Sequence, residues 1–184
     1  MKILAISGSL RTASINTAIL QAAGRLASSD AEIVLYRDLA ALPAFNPDDD
    51  RDPLPPAAAA LRAEIGAADG LILACPEYAH GLPGALKNAL DWLVGSTEFP
   101  GKPVMLINAA PRAFHAQASL REILATMSAQ LVADAFVTAR APRDVSAEAL
   151  LADPAIAGPL QAGLERFAAT LRAQARRTGD VFPV

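Results

Sequence analysis

Short apolar runs alternate with longer stretches of helical period along this chain. Ile3-Leu4-Ala5-Ile6 is too short for a helix and stops at Ser7-Gly8, which marks a buried strand. Ile15, Ile19, Ala22, Ala23 and Leu26 then share one helical face. Glu32 to Tyr36 reads as the second strand, Ala57 to Ala67 as a helix, and Gly70 to Cys75 as the third strand, closed by Pro76. Pro83-Gly84 opens a helix with Leu86, Ala89, Leu90 and Leu93 on one stripe. Pro103 to Asn108 is the fourth strand, a helix runs around Gln117 to Ser128, and Leu131 to Thr138 reads as a fifth strand. Leu160 to Arg176 predicts a last amphipathic helix. Residues 1–177 thus form one domain, and Thr178 to Val184 a loose tail.

Pro43 to Pro56 holds five prolines and the acidic run Asp48-Asp49-Asp50. It is an exposed connection and not a domain linker, because the same alternation resumes after it. Strands alternating with helices imply an α/β fold with a parallel sheet covered on both faces. Right-handed crossovers give a doubly wound order, 2-1-3-4-5. Ligands in such sheets sit beyond the carboxyl ends of the strands, so the loops after strands one, three and four should converge.

Composition narrows the functional classes. At 184 residues, 53% hydrophobic and 19% charged, the chain has a globular composition with enough length for a sizeable core. A net charge of −3 and scattered arginines do not make a nucleic-acid or membrane surface. No apolar run approaches the ~18 residues of a membrane span, and the first apolar run is too short for a signal peptide. One cysteine, Cys75, allows no intrachain disulfide. The cytoplasm is the expected location. No metal site is expected.

The loop Gly8-Ser9-Leu10-Arg11-Thr12-Ala13-Ser14-Ile15-Asn16-Thr17 joins a buried strand to a helix start. Helix starts carry unpaired N–H groups and a partial positive charge, which suit a phosphate. Ser9, Ser14, Asn16 and Thr17 add side-chain donors, Arg11 adds a charged fork, and Gly8 permits a sharp turn. The triphosphate loop is excluded for lack of Gly-Lys-Ser/Thr, and the dinucleotide fingerprint for lack of G-x-G-x-x-G. The loop suits a terminal phosphomonoester such as that of FMN. Hydroxyl residues also gather at helix starts simply as caps.

Pro76-Glu77-Tyr78-Ala79-His80-Gly81-Leu82-Pro83-Gly84 holds two prolines among its first eight residues and two glycines. Such a loop is rigid and lets a flat ring lie close against its backbone. Tyr78 either borders that ring or sits at a subunit contact. Lys87 and Asp91 are spaced for a weak helical ion pair, and Trp92 packs either in the core or at a dimer contact. Cys75 ends an apolar strand as a small buried residue rather than a nucleophile.

The two segments together resemble the NADPH-dependent FMN reductase family of the flavodoxin-like superfamily. Gly8, Ser9, Leu10, Arg11, Ser14 and Asn16 match its G-S-L-R-x-x-S-x-N loop. Its P-E-Y-N-x-x-x-P-G-x-L-K-N-A-x-D-W segment is matched from Pro76 to Trp92, except that Ala79 stands where the family has Asn. Asp38-Leu39 and Leu42 to Pro47 are also similar, so the resemblance covers roughly residues 1–130.

The resemblance implies a flavodoxin-like three-layer sandwich. It implies that Ser9, Arg11, Ser14, Asn16 and Thr17 hold the FMN phosphate, with Leu10 and Ile15 also among the cofactor-binding residues. Pro76, Glu77, Tyr78, Ala79, His80 and Gly81 would border the isoalloxazine, mainly through backbone, and Ala109, Ala110 and Pro111 would complete the site. At Ala79 a side-chain contact to the flavin is lost, or His80 supplies it. The implied activity passes hydride from NADPH or NADH through FMN to a small acceptor: flavin, quinone, chromate, azo dye or nitro compound. No catalytic side chain is assigned. Glu77, His80, Arg112 and His115 belong to loops near the mouth, where Arg112 either meets a nicotinamide phosphate or is simply exposed. The family also implies a homodimer or homotetramer, with the Leu86-to-Trp92 helix as a candidate contact. Two other readings stand beside this one: an FMN electron carrier that does not oxidise NAD(P)H, and a flavin-free interaction module on the same fold.

Overall fold

A computed structural model describes residues 1–112, 114–142 and 145–179 of the chain. The first half runs β1 (Lys2–Ser7), α1 (Ile15–Leu26), β2 (Glu32–Leu35), α2 (Pro56–Ala67), β3 (Gly70–Ala74) and α3 (Gly84–Asp91). The second half runs β4 (Pro103–Asn108), α4 (Phe114–Thr126), β5 (Gln130–Leu131), β6 (Val137–Thr138), α5 (Ala147–Ala152) and α6 (Pro154–Gly179). The strands pair in parallel in the order β2-β1-β3-β4-β5, with β6 also on β4.

Period-two alternation decides which core each strand residue enters. Ile3, Ala5, Ile72, Ala74, Met105 and Ile107 pack on one face with α1, α5 and α6. Leu4, Ile6, Leu71, Leu73, Val104 and Leu106 pack on the other with α2, α3 and α4. Both faces are apolar, which is why these strands read as unbroken hydrophobic runs. The result is a three-layer sandwich.

The fifth position differs from the single strand expected over Leu131 to Thr138. Two short pieces occupy it, with Leu131 opposite Val104 and Val137 opposite Ile107. A 3-10 turn over Ala133–Ala135 separates them. Ala and Asp are weak strand formers, and α6 crosses closely at this point. The last helix is also longer than expected, beginning at Pro154, where proline suits a first helical position. The preceding short α5 carries Ser146 as its cap, whose Oγ accepts from Ala149 N–H at 3.2 Å. Thr178 and Gly179, expected in the tail, still belong to α6; residues 180–184 lie outside the described residues.

The proline-rich connection is pinned to α3. Asn88 Nδ2 and Trp92 Nε1 both donate to Pro43 O, at 2.9 and 2.8 Å, and Phe45 N–H donates to Asn88 Oδ1 at 2.7 Å. Arg62 donates to Asp50 Oδ1 at 2.6 Å and to Trp92 O at 2.7 Å. Trp92 is a core residue, wholly buried, with Phe45 edge-on at 5.1 Å. Lys87 and Asp91 form the expected ion pair.

Gly163 lets α6 approach the interrupted position. A Cβ there would meet Val137 Cγ2 at 2.5 Å and Ala135 O at 3.0 Å. Alanine should raise helix stability by ~1 kcal/mol, whereas overpacking costs ~1–3 kcal/mol. Val137 is β-branched and the Ala135 contact is backbone, so neither yields cheaply. Gly163→Ala is expected to lower stability by ~1–2 kcal/mol, read from the urea unfolding midpoint; a rise would show that the close approach does not constrain the helix.

Candidate functional site

The turn after β1 is built from its own hydroxyls. Gly8 N–H donates to Ala74 O at 2.8 Å. A Cβ on Gly8 would lie 2.9 Å from Leu86 Cδ2 and 3.2 Å from Pro76 Cδ, so only glycine lets this turn sit against the loop after β3. Ser7 Oγ accepts from Thr17 Oγ1 at 3.0 Å and from Ser9 N–H at 3.3 Å, and Ser9 Oγ accepts from Arg11 N–H at 3.4 Å. Ser14 caps α1, its Oγ accepting from Thr17 N–H at 3.4 Å. The first turn of α1 carries no acidic residue, which leaves its positive end unneutralised by its own side chains.

The loop after β3 forms a tight reverse turn. Tyr78 N–H donates to Gly81 O at 3.1 Å and Gly81 N–H to Tyr78 O at 2.9 Å. Ala79 and His80 between them have φ of 50° and 60°. Two successive positive φ values define a type I′ turn, where Asn or Gly is favoured and a Cβ is strained. Glu77 anchors this loop: its Oε2 accepts from Ala116 N–H at 2.9 Å, satisfying a donor in the first turn of α4. The chain's two histidines, His80 and His115, stack at 4.3 Å beside Phe114. Cys75 is buried, and burial followed by the Glu77 carboxylate pushes its thiol up to about 12. It is therefore protonated and unreactive at neutral pH.

Asn108 joins the loops after β4 and β6. Its Oδ1 accepts from Ala110 N–H at 3.0 Å and its carbonyl from Ala139 N–H at 2.9 Å. These loops and the first turn enclose a cleft of about 660 Å³, within the usual range for a small-molecule site. Ser9, Arg11, Ser14, Ile15 and Asn16 line its α1 end. Pro76, Glu77 and Tyr78 line one side and Ala109, Ala110 and Pro111 another. Arg112, Arg140 and Ala141 complete it.

Five residues singled out in the sequence are not brought to this cleft. Leu10 points outward, 57% exposed. Thr17 turns back to Ser7. Ala79, His80 and Gly81 form the reverse turn beyond the cleft wall. Conversely, Arg140 and Ala141 escaped the sequence reading. The rule that places ligands beyond strand ends applies to them too, but the fifth strand's end was blurred by its interruption.

The donor set fits a phosphomonoester: two buried hydroxyls, a buried amide and a guanidinium at a helix start. The side walls fit a flat ring, being formed by two prolines, two alanines, a tyrosine and Glu77, whose carboxylate is engaged by Ala116 N–H. Residues 1–143 match the NADPH-dependent FMN reductase family. The chain belongs to this family.

Among its relatives is an NAD(P)H-dependent FMN reductase of Pseudomonas aeruginosa, 41% identical over 129 residues, covering 67% of this chain and 69% of the relative. A 2-hydroxy-1,4-benzoquinone reductase of a Burkholderia species is 37% identical over 138 residues, 72% of this chain and 74% of the relative. Among solved structures, the flavoenzyme NAD(P)H:(acceptor) oxidoreductase FerB of Paracoccus denitrificans superposes with a TM-score of 0.77. It is 27% identical, over 94% of this chain and 97% of the other. These matches agree with the flavodoxin-like sheet order. Among the described residues, no helix is long and apolar enough to cross a membrane.

The reverse turn yields a stability prediction. An L-residue with a Cβ in the left-handed region costs ~1–2 kcal/mol, and Asn relieves part of this by local hydrogen bonding. Ala79→Asn is expected to stabilise the protein by ~0.5–1 kcal/mol. The check is thermal unfolding without added flavin; an unchanged or lower midpoint would show that the turn does not strain Ala79.

Proposed function

We propose that this chain is an FMN-dependent oxidoreductase that takes hydride from NADPH or NADH and passes it to a small acceptor such as a quinone or flavin. One observation carries the reading: the donors at the α1 start and the flat apolar walls line a single cleft. Ser9, Arg11, Ser14 and Asn16 would hold the FMN phosphate, with Ile15 against the sugar chain and Thr17 bracing Ser7 behind them. Pro76, Glu77 and Tyr78 would border the ring on one side, and Ala109, Ala110 and Pro111 on the other.

Bound FMN supplies the hydride-transfer chemistry. The chain's own residues bind, orient and shield. Pro76 and Pro111 restrict the backbone of the walls, so the ring would meet surfaces already in place. Glu77, already engaged with Ala116 N–H, holds the wall and need not act as an acid or base. Leu10, Tyr78 and Phe114 are exposed apolar side chains on loops and a helix start at the carboxyl edge of the sheet. They suit a second copy of the chain, and we favour a homodimer or homotetramer. With Cys75 as its one cysteine, a reducing cytoplasm is the matching compartment.

Adding NADPH to anaerobic holoprotein should bleach the flavin absorbance, and a quinone should restore it. Bound flavin that does not bleach would identify an electron carrier. A colourless protein that takes up no FMN would identify a flavin-free module. Arg11→Ala is expected to weaken FMN binding by ~1.5–3 kcal/mol, measured by flavin fluorescence titration. Unchanged affinity would overturn the phosphate assignment.

A further inference from the structure

Three arginines line the cleft of a chain whose net charge is −3: Arg11, Arg112 and Arg140. The one carboxylate among the described lining residues, Glu77, is bonded to Ala116 N–H. Arg11 belongs to the turn after β1. The other two occupy different flanks. Arg112 precedes α4, whose Ala116 and Leu120 enter the core face shared with α2 and α3. Arg140 is followed by Ala141, which packs with Ile15 against the opposite core, the one that α1 helps to build. Arg140 lines the same cleft as the first turn of α1.

Its backbone is held. Val137 and Thr138 pair with Ile107 and Asn108, and Ala139 N–H donates to Asn108 O at 2.9 Å. Arg140 begins directly after this last sheet bond, so its guanidinium projects from a fixed base. No carboxylate among the described residues pairs with it.

A phosphomonoester carries about −1.5 to −2 at neutral pH. Its three oxygens accept charge-assisted hydrogen bonds from more than one donor, so a second guanidinium in the same cleft can share the group with Arg11. We propose that Arg140 is a second charged partner of the FMN phosphate, acting from the cleft that Arg11 also lines. This rests on the reading of the cleft as an FMN site and extends it to a residue outside both sequence motifs. The clamp sets selectivity: it favours the phosphorylated flavin over riboflavin, which shares the ring and sugar chain but lacks the anion.

The test titrates flavin-free protein with FMN and with riboflavin, reading flavin fluorescence. Wild type should prefer FMN strongly. Arg140→Gln should lose about tenfold or more in FMN affinity while riboflavin affinity stays within about twofold. Retained riboflavin binding reports an intact fold and ring site. Arg140→Lys should recover part of the loss, because it restores the charge without the fork. FMN preference undiminished in Arg140→Gln would overturn the proposal, as would an equal loss for both flavins. A wild type with no preference for FMN would instead overturn the underlying phosphate reading.

Discussion

The start of α1 is the constraint from which the site follows. A helix opens with N–H groups that have no partner within the helix. Ser14 Oγ satisfies one of them, at Thr17, and no acid in the first turn neutralises the rest. The turn before it is braced through Ser7, Ser9 and Thr17, so the donors are held rather than collapsed onto one another. In a parallel sheet every such helix start faces the same edge as the strand ends. Burying both sheet faces thus leaves that edge as the place where polar backbone remains available, and an anion there meets preorganised donors.

This explains why part of the site was legible in the sequence. The hydroxyl-rich turn is contiguous, and its chemistry is local: Ser9, Arg11, Ser14 and Asn16 all line the cleft. The main strands were legible for a similar reason, since residues buried on both faces leave unbroken apolar runs. The fifth position was not, because pairing there is two short pieces around Ala133–Ala135 and draws support from α6 at Gly163. No local pattern announces a contact with a helix thirty positions away. The same blur hid Arg140 and Ala141.

The supporting polar residues were illegible in another way. Asn88 lies on α3 and Trp92 caps its end, and the helix's amphipathic stripe accounts for neither of their hydrogen bonds. Both reach Pro43 O, more than forty positions upstream. Glu77 looked like a candidate at the cleft mouth, yet its carboxylate is engaged with α4. In the sequence Asn108 is only the end of a strand, yet it ties two cleft loops together. Each residue type was visible, but the partner that gives it a role is distant in sequence, so composition and spacing carry no trace of it. The motif around α3 is accordingly as much a latch for the proline-rich connection as a wall for a ligand.

Ala79 sharpens that distinction. Its family counterpart is Asn, and the sequence leaves two outcomes there: a lost side-chain contact to the ring, or one supplied by His80. The structure adds a backbone constraint of its own, because position 79 has φ of 50° within the Tyr78–Gly81 reverse turn. Asn tolerates the left-handed region better than Ala, so the turn by itself favours Asn at this position. The turn nonetheless forms with Ala79, held by the reciprocal Tyr78–Gly81 hydrogen bonds, by Glu77 at its base and by the His80–His115 stack. Those restraints act on backbone and neighbouring rings, and none requires the residue 79 side chain. The departure therefore costs folding free energy while leaving Pro76, Glu77 and Tyr78 in the cleft wall.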